Sequence, residues 1–250
     1  MSDDILIEVC VDSIASARAA EQGGAQRVEL CSGLLEGGVT PSAGLIAQVR
    51  AKVSIALHVM IRPRGGDFCY DGNEFEIMQR DISTAKSLGA DGVVFGLLSP
   101  DGSIDAARTR QLVEMARPLE VTFHRAFDMS ADLFRALEDT CATGADRILT
   151  SGAEQTSQQG TQTIARLVKA AKGRIVIMAG SGIRASSVRM IVEQTGVREI
   201  HVGLRSSVPG PMNYRNPRVS MGTAMDREYQ RFVVLEEDVR RLCRAASNTE

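Results

Sequence analysis

The chain has 250 residues, of which 44% are hydrophobic and 24% charged, an ordinary globular balance with enough apolar material for one sizeable core. Lys and Arg number 29 against 31 Asp and Glu, and the resulting net charge of −2 gives no support to a nucleic-acid or membrane-surface partner. No apolar run approaches the ~18 residues of a membrane span, the acidic Met1-Ser2-Asp3-Asp4 lacks the basic and apolar regions of a signal peptide, and five scattered cysteines without a CxxC pair predict a reducing cytoplasm rather than a disulfide framework or a structural zinc site.

Along the chain, β-rich runs alternate with helical patterns. A first run at 5–10 precedes helical spacing over 13–22. A second at 27–31 precedes 42–50, and a third at 55–62 precedes 74–88. Further runs follow at 92–97, 120–125, 147–151, 174–180 and 199–203, with helical spacing at 161–172 and a last helix at 235–246. Such alternation predicts parallel strands with crossover helices. Four helices end in a glycine that introduces a similar strand entry: Gly24-Ala25-Gln26-Arg27, Gly89-Ala90-Asp91-Gly92, Gly144-Ala145-Asp146-Arg147 and Gly196-Val197-Arg198-Glu199. Glycine accepts the left-handed conformation that stops a helix, so each marks a helix-to-strand junction. The intervals each span two βα units. Four such junctions, one for every two units, predict an α/β fold, a closed TIM-type (β/α)8 barrel, as a single domain over residues 1–250. An open doubly wound sheet needs neither the fourfold period nor the eighth strand. Two loops stand out at the strand ends, 63–72 and 206–226, the second long enough to suggest a role.

Side chains alternate along a strand, and a barrel interior is normally filled by branched apolar residues. Here the inward sets contain Glu8 and Cys10 on strand 1, Glu29 and Cys31 on strand 2, His58, Met60 and Arg62 on strand 3, Thr122 and His124 on strand 5, and His201 on strand 8. Buried charges are costly unless paired. Glu29 and His201 share a level and are expected to face each other inside. His58, low on its strand, reads as structural. Glu8, Glu29, Arg62 and His124 read as functional, since they converge on the end where barrel enzymes place their sites.

Two segments strengthen that end. Arg62-Pro63-Arg64-Gly65-Gly66-Asp67-Phe68 brings two arginines and two glycines to one strand end, and His124-Arg125-Ala126-Phe127-Asp128 brings His, Arg and Asp to another. Arginine forks bind carboxylates or phosphates, and a His beside a carboxylate moves protons near neutral pH. Strand 7 ends in Gly180-Ser181-Gly182 and strand 8 in Gly203, small residues of the kind that cradle a phosphate in many barrels or simply turn tightly. The candidate catalytic residues are therefore Glu8, Glu29, His124 and Asp128. The candidate anion-binding residues are Arg62, Arg64, Arg125, Ser151, Gly180, Gly182 and Arg215.

Glu8-Val9-Cys10, Arg27 to Cys31, Gly37-Gly38-Val39-Thr40-Pro41-Ser42, Ile61 to Phe68, Thr122 to Asp128, Leu149 to Gly152, and Tyr214-Arg215-Asn216 followed by Val219-Ser220-Met221 resemble the CutC family of copper homeostasis proteins. The resemblance covers nearly the whole chain. It implies a cytoplasmic TIM-type barrel that forms homo-oligomers, is associated with copper tolerance, and binds Cu(I) through two cysteines matching Cys10 and Cys31. Thiolates do select Cu(I), and neighbouring strands lie ~4.8 Å apart, close enough for two thiolates to grip one ion. Cys69 lies on the arginine loop, while Cys141 and Cys243 fall on helices as packing residues. Three classes follow: a copper-binding homeostasis protein, an enzyme acting on a small anionic or phosphorylated metabolite, or a catalytically inert scaffold. The convergence of Glu, His and Arg counts against the last.

Overall fold

Val, Ile, Leu and Phe occupy the outward face of each strand, where helices cover them. Strands β1 (Leu6–Val11), β2 (Arg27–Leu30), β3 (Ala56–Met60), β4 (Gly92–Phe95), β5 (Glu120–Phe123), β6 (Arg147–Thr150), β7 (Val176–Gly180) and β8 (Glu199–Val202) pair in parallel, each with the next. β8 then pairs with β1 and closes the barrel. The computed structural model describes residues 5–219, 221 and 228–247. Helices α1 (Ile14–Gln22), α2 (Ala43–Arg50), α3 (Gly72–Ser87), α4 (Ala106–Ala116), α5 (Leu133–Thr143), α6 (Thr161–Ala171), α7 (Val188–Thr195) and α8 (Glu236–Ala246) surround it. Among the described residues, no helix is long and apolar enough to cross a membrane.

Local chemistry sets these boundaries. Asp71 and Glu74 form a reciprocal capping box at the start of α3, and Asp132 caps α5 by accepting from the backbone N–H groups of Phe134 and Arg135. All four junction glycines, Gly24, Gly89, Gly144 and Gly196, have positive φ. The repeat has a second purpose that the pattern alone does not reveal. At three of the four junctions the side chain of its third residue pins the register of the preceding strand. Gln26 Oε1 accepts from Ile7 N, Asp91 Oδ2 from Leu57 N and Asp146 Oδ2 from Val121 N, each at 2.8 Å. A one-residue slip would turn every inward side chain outward, so these bonds protect the interior.

That interior is ionic near its base. Arg27 Nε donates to Glu8 Oε2 at 2.5 Å and its Nη2 to Glu199 Oε2 at 2.5 Å. Arg147 bridges Glu199 and Glu120. His58 lies on the same level, 3.9 Å from Glu8 and 3.5 Å from Glu120, and burial pushes its pKa down to about 4. β4 makes room for the imidazoles on either side. A Cβ on Gly92 would lie 2.5 Å from His58 Nε2, and one on Gly96 would lie 2.6 Å from His124 Nδ1.

One element departs from expectation. The segment 206–226 begins as a strand rather than a loop: β9 (Ser206–Pro209) pairs antiparallel with β10 (Gln230–Val233) outside the barrel. The partners are far apart in sequence, and Ser206-Ser207 carries no strand signal, so this pairing has no local signature. Residues 220 and 222–226 of that segment lie outside the described residues.

Candidate functional site

Five polar or sulfur-bearing side chains meet where β1, β2 and β8 adjoin. Register places Cys10 opposite Glu29 and Glu8 opposite His201. Glu8 is fully buried. Burial opposes its charge, but the Arg27 guanidinium and the hydrogen bond from His201 hold its carboxyl well below the usual range. His201 Nδ1 donates to Glu8 Oε1 at 2.7 Å, and its Nε2 lies 3.8 Å from Glu29 Oε2. The expected Glu29–His201 pairing is thus present, although the shorter bond goes to Glu8. Burial disfavours the imidazolium, yet the carboxylates of Glu29 and Glu8 and a hydrogen bond to Cys10 push His201 well above its ordinary pKa.

The two cysteines respond in opposite directions. Cys10 Sγ and Cys31 Sγ are 3.9 Å apart. The hydrogen bond from Cys31, with the nearby His201 charge, lowers Cys10 to about 5 against burial. That same bond, together with burial and the Cys10 charge, raises Cys31 well above an ordinary thiol. Cys31 Sγ also lies 3.4 Å from Glu29 Oε2. Burial raises Glu29 to about 8, and the Cys10 charge adds to the shift. The pair therefore holds one thiolate and one thiol at neutral pH. Met60 packs against Cys31 in the same small cluster. Its thioether is a further soft group, and the only sequence signal for it was its place between His58 and Arg62 on the inward face of β3.

A metal ion fits this set. Cys10, Glu29 and Cys31 each bring a ligand atom within 4.8 Å of the others, as do Glu8, Glu29 and His201. Two metal–sulfur bonds of ~2.3 Å span up to ~4.6 Å, so thiols 3.9 Å apart are within reach of one ion without rearrangement. Of the two sets, the thiol-bearing one offers the soft donors that Cu(I) prefers.

Above the sulfurs opens a cavity of about 730 Å³, lined by Cys10, Glu29, Arg62, His124, Arg125, Asp128 and His201 among others. Arg62 is buried, and its guanidinium donates to backbone carbonyls. Nη1 bonds Glu36 O at 2.8 Å and Gly38 O at 3.0 Å, and Nη2 bonds Gly66 O at 2.8 Å. Gly37 and Gly38, both at positive φ, allow that approach; a Cβ on Gly37 would lie 3.2 Å from Arg62 Nη1 and one on Gly38 3.2 Å from Cys31 Sγ. His124 Nδ1 accepts from Ala126 N at 3.2 Å. Burial, aided by the Arg62 charge, lowers its pKa to about 3, so the ring is neutral.

Other candidates have different duties. Asp128 accepts from Arg125 Nε, Thr150 Oγ1, Ser151 N, Ser151 Oγ and Ala153 N, which makes it the anchor of the loop after β6 and leaves it no room for proton transfer. Ser151 is buried within that network and also accepts from Arg125 Nη2 at 2.8 Å. Arg64 is bound to Glu74 and Asp67, and Arg215 stacks over Tyr229; neither lines the cavity. Gly180 and Gly182 also lie outside its lining. Their turn is engaged by the loop after β6, with Ser157 Oγ donating to Gly180 O and Ser181 Oγ to Gln155 O. The structure thus brings together Glu8, Cys10, Glu29, Cys31, Arg62 and His124, with His201 added, and sets Arg64, Arg215, Gly180 and Gly182 apart.

A model of the CutC family matches residues 5–206. The chain belongs to the CutC family. A CutC family protein of Chromobacterium violaceum is 46% identical over 239 residues, covering 96% of this chain and 97% of that protein. The human copper homeostasis protein cutC homolog is 48% identical over 248 residues, covering 99% of this chain and 91% of that one. Among solved structures, a protein from Streptococcus agalactiae described as copper homeostasis protein CutC aligns with a TM-score of 0.75 and 36% identity, over 79% of this chain and 97% of that chain. The barrel is thus a CutC fold in connectivity as well as in sequence.

Proposed function

We propose that this CutC family member binds Cu(I) in copper homeostasis, with Cys10 and Cys31 as the ligands. The observation that carries the reading is the 3.9 Å approach of two sulfurs, one of them held as a thiolate. Soft thiolates distinguish Cu(I) from the harder divalent ions, and the relatives named for copper homeostasis support the assignment. Arg27 anchors Glu8, Glu8 orients His201, and His201 stabilises the Cys10 thiolate. Cys31 supplies the second sulfur after losing its proton. Free thiols at all five cysteines suit a reducing cytoplasm.

Acid–base catalysis on an anionic metabolite has less support. Glu8 is locked between Arg27 and His201, Asp128 is saturated by its loop, and Arg62 spends its Nη groups on carbonyls.

The test is anaerobic Cu(I) titration against a chromophoric chelator. The wild type is expected to take up about one ion per chain tightly, and Cys10→Ser or Cys31→Ser to abolish that step. Cys141→Ser and Cys243→Ser, on α5 and α8, are expected to leave it unchanged. Undiminished affinity in the Cys10→Ser/Cys31→Ser double variant would refute the reading.

A further inference from the structure

Four donor atoms, rather than the two sulfurs alone, converge where β1, β2 and β8 adjoin. Glu29 Oε2 joins them: Cys31 Sγ lies 3.4 Å from it on one side and His201 Nε2 3.8 Å on the other. Cys31 Sγ in turn lies 3.9 Å from Cys10 Sγ, and the His201 ring hydrogen-bonds Cys10. The donors come from positions 10, 29, 31 and 201, so no compact metal-binding motif announces them.

Bond lengths decide what such a cluster can hold. Around a tetrahedral Zn²⁺, bonds of ~2.3 Å to sulfur and ~2.0–2.1 Å to nitrogen or oxygen separate the donors by ~3.8 Å for S···S, ~3.5 Å for S···O and ~3.3 Å for N···O. The first two edges are already present at 3.9 and 3.4 Å, and the imidazole, at 3.8 Å, has only to move inward. A linear two-sulfur ion would hold its thiolates ~4.6 Å apart. The sulfur spacing is therefore nearer to that of a four-coordinate ion.

The surrounding contacts point the same way. His201 gives Nδ1–H to Glu8 Oε1 at 2.7 Å, which leaves Nε2 facing the cluster, and Arg27 holds Glu8 from behind at 2.5 Å. A carboxylate on the far nitrogen is how metal-ligating imidazoles are oriented. Glu29 Oε1 is buried without a hydrogen-bond partner among the described residues. A buried carboxylate left half satisfied is costly unless a cation meets it. Cys10, Glu29 and His201 stand on strands and Cys31 directly follows one, so the barrel framework holds the donors in place. Cys10, Glu29 and His201 also line the cavity, which gives an ion a way in.

We propose that Cys10, Cys31, Glu29 and His201 form a four-coordinate site for a borderline divalent cation, Zn²⁺ above all, with Glu8 orienting the imidazole. Two sulfurs, one nitrogen and one oxygen make a donor set that Zn²⁺ accepts, whereas Ca²⁺ and Mg²⁺ take oxygen ligands. The site shares its cysteines with the copper reading but does not rest on it, and it draws on Glu29 and His201, which a two-coordinate Cu(I) does not need.

The experiment titrates the full-length protein anaerobically with Zn²⁺ against a chromophoric chelator, and with Co²⁺ as a spectroscopic stand-in. About one Zn²⁺ per chain is expected. Co²⁺ is expected to give the intense visible absorption of a four-coordinate ion, with sulfur-to-metal charge-transfer bands that Cys10→Ser/Cys31→Ser abolishes and that added Zn²⁺ bleaches. Mg²⁺ is expected not to compete. Glu29→Gln and His201→Gln are each expected to weaken Zn²⁺ by at least the ~10–100-fold that even an outer-shell partner contributes. Should His201→Gln, at the barrel seam, fail to fold, Glu29→Gln carries the test, since it keeps the shape of the side chain. No Zn²⁺ uptake, a weak six-coordinate Co²⁺ spectrum, or undiminished Zn²⁺ affinity in Glu29→Gln would each overturn the proposal. Cu(I) uptake without Zn²⁺ uptake would sink this proposal and leave the copper reading standing; Zn²⁺ uptake without Cu(I) uptake would do the reverse.

Discussion

His201 Nδ1 lies 2.7 Å from Glu8 Oε1 across the β8–β1 seam, so the contact that closes the barrel also fixes the charge at the floor of its cavity. Glu8 in turn is held by Arg27 at 2.5 Å. The charge of His201 reaches Cys10 and helps keep its sulfur ionised.

His201→Gln is therefore expected to move the Cys10 titration up from about 5 toward the ordinary thiol value of 9.0. Alkylation by iodoacetamide, followed by mass spectrometry of the Cys10 peptide, measures this. In the wild type the rate should already be near its plateau at pH 6–7. In the variant it should still be climbing above pH 7. An unchanged profile would show that His201 does not sustain the thiolate.

Copper uptake should carry its own pH dependence. Cys10 is ionised across the neutral range, whereas Cys31 keeps its proton and must release it to bind an ion. Release of about one proton per Cu(I) predicts an affinity that rises about tenfold per pH unit between pH 6.5 and 8. Chelator competition at several pH values gives the slope, and a flat response would show that Cys31 is not a ligand.

Glu29 makes the opposite kind of stability prediction. Its folded pKa, raised to about 8, exceeds the ordinary 4.5, so the folded state prefers its proton. The associated stability is fully present below pH 4.5 and is lost as pH rises through about 8. Glu29→Gln keeps the shape without the titration. Near pH 8 it should be more stable than the wild type, with the advantage shrinking toward pH 5. Urea unfolding at the two pH values checks the sign.

Arg27→Met should destabilise the protein by about 3–5 kcal/mol, because it breaks a buried pair and leaves Glu8 Oε2 without its guanidinium partner. Denaturant titration measures the loss. Adding Glu8→Gln should recover part of it by removing the carboxylate that lost its guanidinium, and a merely additive double variant would argue against the ion pair as the cause.

The barrel and its interior were largely legible from the chain. The junction glycines marked the two-unit period, and period-2 alternation placed Glu8, Glu29, His58, Arg62, His124 and His201 inside. What alternation cannot say is where the tip of a long side chain ends. The guanidinium of Arg62 meets carbonyls from two loops, and those carbonyls are positioned by backbone turns at Gly37, Gly38 and Gly66 that no side-chain pattern encodes. Asp128 read as a proton carrier because it follows His124 in a charged string; its bonds to Thr150, Ser151 and Ala153 come from a loop that approaches only after folding. The turn after β7 is likewise engaged from the loop after β6, with Ser157 Oγ donating to Gly180 O and Ser181 Oγ to Gln155 O, contacts that no local pattern encodes.

The two glycines on the inner face of β4 and its end have a consequence for how this sequence can change. Gly92 and Gly96 leave the space that the rings of His58 and His124 fill, and a methyl group at either would lie less than 3 Å from the ring. Each glycine and its imidazole are thus one unit of inheritance. Alanine at 92 is excluded while His58 stands, because every atom it would meet belongs to that ring, so it becomes admissible once the ring is replaced by something smaller and the two positions can drift only in a set order. A lineage that gave up the imidazole would acquire freedom on the neighbouring strand, and one that kept it would stay glycine there however much its surface diverged.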